Sequence, residues 1–98
     1  MVKSLVSIAA ALAPLAAGSG PGGTCNIQSN SPPGQWIFFR VYDVVTGQEI
    51  LRQAINGGDI KTISVTHDRV KIERKAPGQT EYRTAAVTTC KDGNTIKA

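Results

Sequence analysis

Apolar and polar positions alternate with a period of two along most of the chain after Gln35. Residues 36–44 are the densest part of this pattern, because aromatic and β-branched side chains fill nearly all of their positions. Successive side chains of a strand point to opposite faces, and here both faces are largely apolar. The pattern therefore predicts a central strand over 36–44 that is covered on two sides.

The alternation continues in further segments that are bounded by turn-forming residues. Strands are predicted at residues 49–54, 60–66, 69–75 and 81–89, with a sixth short strand at 25–28. Residues 49–54 also favour helix, which is the alternative there. Turns every 8–12 residues or so are typical of a small antiparallel β-sandwich or barrel, here of five to six strands. Because no helical crossover is present, a parallel sheet is not expected.

Two cysteines, Cys25 and Cys90, stand on either side of this β-rich region, 65 residues apart. No C-x-x-C motif is present, and these residues with His67 are too few for a four-ligand zinc site. The economical interpretation is one disulfide in an oxidising compartment. Two unrelated buried thiols are the alternative.

The amino terminus has the pattern of a secretory signal peptide. Lys3 precedes a short apolar stretch, and small residues follow it before position 18. The stretch is shorter than the roughly 20 apolar residues of a membrane span. The predicted organisation is a signal peptide at 1–17, a flexible Gly/Pro/Ser-rich segment at 18–34 and a β domain at 35–98. The alternative is an apolar helix that is retained for anchoring or assembly.

Charge and the remaining polar residues give little support for catalysis or nucleic-acid binding. The net charge of +4 is mild, and the Lys and Arg residues form no block. His67 and Asp68 are adjacent, so on a strand they would point to opposite faces, and no motif supplies a nucleophile. No acidic loop with calcium-binding spacing occurs. A catalytic site, a cofactor and a metal are therefore not expected.

Two surfaces are candidates for binding. The first is the strand face that carries Trp36, Arg40 and Tyr42, which can stack on a ligand if it is exposed and belongs to the core if it is not. The second is a basic hairpin centred on Pro77 and Gly78. Its cationic residues are Arg69, Lys71, Arg74, Lys75 and Arg83.

These observations lead to three functional hypotheses. The first is a secreted or periplasmic, non-enzymatic binding module for a protein or glycan. The second is an assembly subunit that keeps its apolar amino terminus. The third is a secreted enzyme inhibitor or a small hydrolase that depends on His67. In size and in its late cysteine the chain resembles small secreted β-sandwich inhibitors and carbohydrate-binding modules, a likeness of fold class alone.

Overall fold

The computed structural model describes residues 22–98, and in this range seven strands form two sheets. In chain order the strands are β1 (Thr24–Gln28), β2 (Trp36–Asp43), β3 (Glu49–Asn56), β4 (Ile60–Ser64), β5 (Arg69–Lys75), β6 (Arg83–Thr89) and β7 (Asn94–Lys97). No helix occurs among the described residues. The predicted all-β sandwich is confirmed. The seventh strand, β7, lies beyond the last predicted strand at 81–89.

The larger sheet has the strand order β3-β2-β5-β6 and is antiparallel throughout. β2 and β3 form the predicted hairpin, and β5 and β6 form a second one around Pro77 and Gly78. Gly78 has a φ of 89°, a left-handed conformation that glycine adopts without the steric penalty of a Cβ atom. This hairpin brings β5 to the middle of the sheet, directly beside β2.

The smaller sheet has the order β4-β1-β7. β1 pairs antiparallel with β4 but parallel with β7, so the expectation of a sheet without parallel pairs is wrong for this strand pair. The reason is that β1 and β7 are not connected by a short crossover. The other five strands intervene and supply the connection.

The core lies between the two sheets and is formed by their inward-facing side chains. The larger sheet contributes Ile37, Phe39, Val41, Ile55, Val70 and Ile72, and the smaller sheet contributes Ile27, Ile63 and Ile96. Each set follows the period of two that the sequence shows, since alternate residues of a strand share one face. Burial of this apolar surface is the main favourable contribution to folding.

The predicted disulfide between Cys25 and Cys90 is confirmed. Both residues are fully buried, their Cα atoms lie 5.1 Å apart, and no free cysteine remains. The bond joins β1 of the smaller sheet to the residue that follows β6 of the larger sheet. It therefore connects the two layers covalently and indicates an oxidising environment.

β1 is the sixth short strand that was predicted at 25–28, whereas β2 departs from its prediction. β1 lies inside the segment 18–34 and pairs with β4 and β7. β2 is covered on one face only, so the prediction of a strand buried on two sides is wrong. A two-layer fold leaves the outer face of each sheet to solvent. The predicted signal peptide at 1–17 lies outside the described residues.

Within residues 22–98 the structure contains no helix that is long and apolar enough to cross a membrane.

Candidate functional site

The candidate binding surface is the solvent-facing side of the larger sheet, which we call the outer face. Strand register places its side chains in rows across β2, β3, β5 and the residues next to β6. It consists of Trp36, Phe38, Arg40, Tyr42, Glu49, Arg52, Lys71, Glu73, Lys75, Tyr82 and Val87. The sequence-predicted residues Trp36, Arg40 and Tyr42 therefore share one face, opposite the buried side chains of the same strand.

Two aromatic side chains on the outer face are unusually open to solvent. Trp36 is 53% exposed and Phe38 is 42% exposed, while the intervening Ile37 is fully buried. Both lie on β2, where Phe38 pairs with Ala54 of β3 and Lys75 of β5, while Trp36 pairs with Asn56 of β3. The two rings thus form an exposed apolar platform on the sheet.

Arg40 lies at the centre of the face and is held by several groups. Its Nη2 atom donates a hydrogen bond to Oε1 of Glu73 at 2.8 Å. Its guanidinium carbon lies 3.8 Å from the ring centre of Tyr82 and 5.7 Å from that of Tyr42. Both distances fit cation–π contact. Arg40 therefore organises the face, and its paired guanidinium is less available to a ligand than the sequence suggested.

Lys75 is a cation of the outer face with which no carboxylate of the described residues forms an ion pair. Its Nζ atom lies 5.1 Å from the ring centre of Tyr82 and 5.6 Å from that of Phe38. Lys71, by contrast, lies 3.4 Å from Oε2 of Glu73. A positive charge is thus placed beside exposed aromatic rings.

The second carboxylate of the face, Glu49, is bound by Arg52. The Nε and Nη2 atoms of Arg52 donate to the carboxylate at 2.9–3.2 Å. These hydrogen bonds lower the pKa of Glu49 and raise the pKa of Arg52. Each acid of the outer face therefore has a basic partner, and the four cations exceed the two carboxylates.

Strand alternation divides the predicted basic hairpin between two surfaces. Lys71 and Lys75 belong to the outer face, and Arg69, which is opposite Thr89, has the same orientation on β5. Arg74 and Arg83 face the other side of the sheet and are directly opposite each other. The hairpin is thus part of the aromatic surface on one side and a separate basic pair on the other.

Tyr82 is the residue that sequence reasoning missed. It precedes β6, and its ring contacts both Arg40 and Lys75. The alternation placed it on a strand face with Thr84, but alternation along one strand does not indicate which cations lie across the sheet. The register of β2 with β5 would have been needed to find this contact.

His67 does pair with an aspartate, but with Asp43 and not with its neighbour Asp68. The Nδ1 atom of His67 lies 2.8 Å from Oδ2 of Asp43, whose Oδ1 accepts the amides of Val45 and Thr46. Burial acts to raise the pKa of Asp43. The hydrogen bonds from His67 and from the two amides outweigh burial, so the pKa is lowered.

Within residues 22–98 the His67–Asp43 pair has no hydrogen-bonded nucleophile beside it. Among the described residues no hydroxyl or thiol forms a hydrogen bond with His67, and both cysteines are oxidised. The same part of the chain holds no cluster of three metal-ligating side chains. The pair links the β2–β3 turn to the segment between β4 and β5, which is a structural contribution.

Comparisons of the chain with protein-family models, with curated proteins and with solved structures gave no match.

Proposed function

We propose that this chain is an exported, non-enzymatic binding module that uses the outer face to bind an acidic protein surface. The observation that carries the proposal is the exposure of Trp36 and Phe38 beside Lys75, a cation with no ion pair among the described residues. Aromatic residues and arginine are the side chains that protein interfaces favour, especially at their energetic centre. The disulfide supports an oxidising, extracellular-type location.

The charge of the outer face favours an acidic protein over a neutral glycan. Both carboxylates are already bound to cations, so an approaching carboxylate meets Lys75 without competition from Glu49 or Glu73. Complementary charge of this kind accelerates association and selects among partners. A neutral sugar can stack on Trp36 but gains nothing from the excess positive charge.

The proposal can be tested by the fluorescence of Trp36, because the chain contains a single tryptophan and it lies on the outer face. The probes are a synthetic peptide of alternating Glu and Phe, its Lys and Phe counterpart, and a chitin oligosaccharide. We expect a blue shift of the emission with the acidic peptide only, because binding removes Trp36 from water.

Two charge reversals of equal size provide the matched control. Lys75→Glu is expected to weaken acidic-peptide binding at least about tenfold, which corresponds to about 1.4 kcal/mol. Lys61→Glu, on β4 of the other sheet, is expected to leave it unchanged within about twofold. An equal response to the basic peptide, or no response to any peptide, would contradict the proposal, and a shift with the sugar alone would replace it with glycan binding.

The alternative function, an assembly subunit, is favoured by one feature of β6. This strand lies at an edge of the larger sheet, and residues 84–89 carry no charge that would discourage pairing with another strand. Sedimentation velocity and mass spectrometry test this alternative. Oligomers of a chain that begins at Met1 would support it, whereas a monomer that begins near Gly18 would exclude it.

A further inference from the structure

A cleft of about 520 Å³ lies at one end of the sandwich, where the two sheets meet, and it is separate from the outer face. The larger sheet contributes Arg74 and Arg83, and the smaller sheet contributes Lys97. Asn30, Gln79 and Thr84 add uncharged polar groups. No acidic side chain lines the cleft. Arg74 and Arg83 therefore bring two positive charges to the cleft, and no acidic side chain within the cleft balances them.

Arg74 and Arg83 are directly opposite each other on the antiparallel strands β5 and β6. Residues in such positions have Cβ atoms about 4.5–5.5 Å apart, and two like charges there are destabilising. Arg74 donates a hydrogen bond to the hydroxyl of Ser31 at 3.2 Å, a neutral partner that does not reduce the repulsion. An anion between the two guanidinium groups would remove it.

We infer that this cleft binds a small organic molecule through a phosphate or sulfate group. The planar guanidinium group donates paired hydrogen bonds to such tetrahedral oxyanions. Lys97 borders the cleft from the opposite layer. The cleft has the volume of a small-molecule site and exceeds what one inorganic anion fills. Asn30 and Gln79 are available to hydroxyl groups on the rest of the ligand. The inference is independent of the function proposed for the outer face.

Binding is tested by titrating the isotope-labelled chain with glucose 6-phosphate, glucose 6-sulfate and glucose, and following its backbone amides by NMR. We expect saturable shifts at residues 30, 74, 83 and 97 with one or both anionic sugars and none with glucose. Binding of only one anionic sugar would identify the group that is recognised. Shifts that are absent, or that occur elsewhere in the chain, would overturn the inference.

Two substitutions that each remove one positive charge separate a built site from general attraction. Arg83→Gln is expected to weaken binding at least about tenfold, while Lys61→Gln on β4 changes it less than about twofold. If both substitutions weakened binding equally, the anion would be attracted only by the overall charge of the protein, and the inference would be overturned.

Thermal unfolding distinguishes an Arg83 that binds an anion from an Arg83 that only stabilises the fold. Without an anion, Arg83→Gln should melt at or above the temperature of the unsubstituted protein, because the repulsion from Arg74 is gone. Glucose 6-phosphate should then raise the melting temperature of the unsubstituted protein but not that of the variant, since a ligand of the folded state stabilises it. A variant that melts lower in both conditions would contradict the inference.

Discussion

At the scale of single residues, the bond between His67 and Asp43 joins two loops that are distant in the sequence. Asp43 is only 5% exposed, and its carboxylate accepts three hydrogen bonds. Because its pKa is lowered in the folded state, the folded protein binds a proton at this site less readily than the unfolded chain does. The resulting stabilisation is complete above the unfolded value near 3.8 and is lost as the pH falls through the lower, folded value.

Replacing Asp43 with Asn should therefore have an effect that depends on pH. We expect the free energy of unfolding at pH 7 to fall by about 1 kcal/mol, because charged hydrogen bonds are exchanged for neutral ones. Below the folded pKa of Asp43 the difference between variant and parent should shrink. Urea unfolding across this range measures it, with Asp59→Asn, an exposed aspartate, as the control. A constant difference at every pH would contradict the linkage.

A second residue-scale prediction concerns Gly57, which is buried and donates its amide to the carbonyl of Gln35. A Cβ atom at this position would collide with the backbone carbonyls of Ser31 and Pro32, which cannot move aside as a side chain can. We expect Gly57→Ala to destabilise the fold by about 1–3 kcal/mol, the usual cost of overpacking.

Gly23 is the matched control for Gly57. A Cβ atom there would meet its nearest neighbour at 3.7 Å, which is ordinary contact. Gly23→Ala should therefore change the free energy of unfolding by no more than about 1 kcal/mol, and in the stabilising direction. Urea denaturation of both variants decides the matter, and equal effects would refute the steric explanation.

At the scale of elements, alternation and turn residues were sufficient to locate most strands and both hairpins. They could not show which face of β2 is buried, because Ile37 and Phe38 are equally apolar. The buried face of β2 is the one that the smaller sheet covers, and the position of that sheet depends on pairing between strands that are distant in the sequence. The candidate site was accordingly predictable as a row along β2, while its partners Glu73 and Tyr82 depended on a register that the sequence alone does not specify.

The disulfide acts at this scale because it joins β1 to the end of β6. Closing a loop of 65 residues stabilises the fold by roughly 4 kcal/mol, since it restricts the unfolded chain. We expect the double variant Cys25→Ser and Cys90→Ser to lose about that much in urea unfolding. A reducing agent should destabilise the parent to a similar degree and leave the double variant unaffected. Sensitivity of the double variant to the reductant would contradict this explanation.

At the scale of the whole molecule, the smaller sheet is completed only when β7 pairs with β1. No strand was predicted after residue 89, because a four-residue strand with one large apolar side chain gives almost no periodic signal. The parallel pairing of β7 with β1 could not be predicted either. The expectation that parallel strands need a helical crossover applies to strands that follow each other directly in the chain, and β1 and β7 do not. In this fold the connection is nearly the entire described chain.

Adjacent residues of β7 test whether this last strand belongs to the core. Ile96 is 8% exposed, whereas Thr95 is exposed. Ile96→Ala should lower the free energy of unfolding by about 2–4 kcal/mol, because it leaves a cavity between the sheets. Thr95→Ala should change it by less than about 0.5 kcal/mol. Urea unfolding of both compares them directly, and similar small effects would mean that β7 contributes little.

The pairing of β1 with β7 also limits when the smaller sheet can form during synthesis. A polypeptide that emerges from its amino end cannot assemble the β4-β1-β7 sheet until Lys97 has appeared, because β1 lacks one neighbour until then. Pairings between such remote segments are slow to form, as the chain must first lose the entropy of a very large loop. During synthesis the smaller sheet therefore remains incomplete until β7 has left the ribosome.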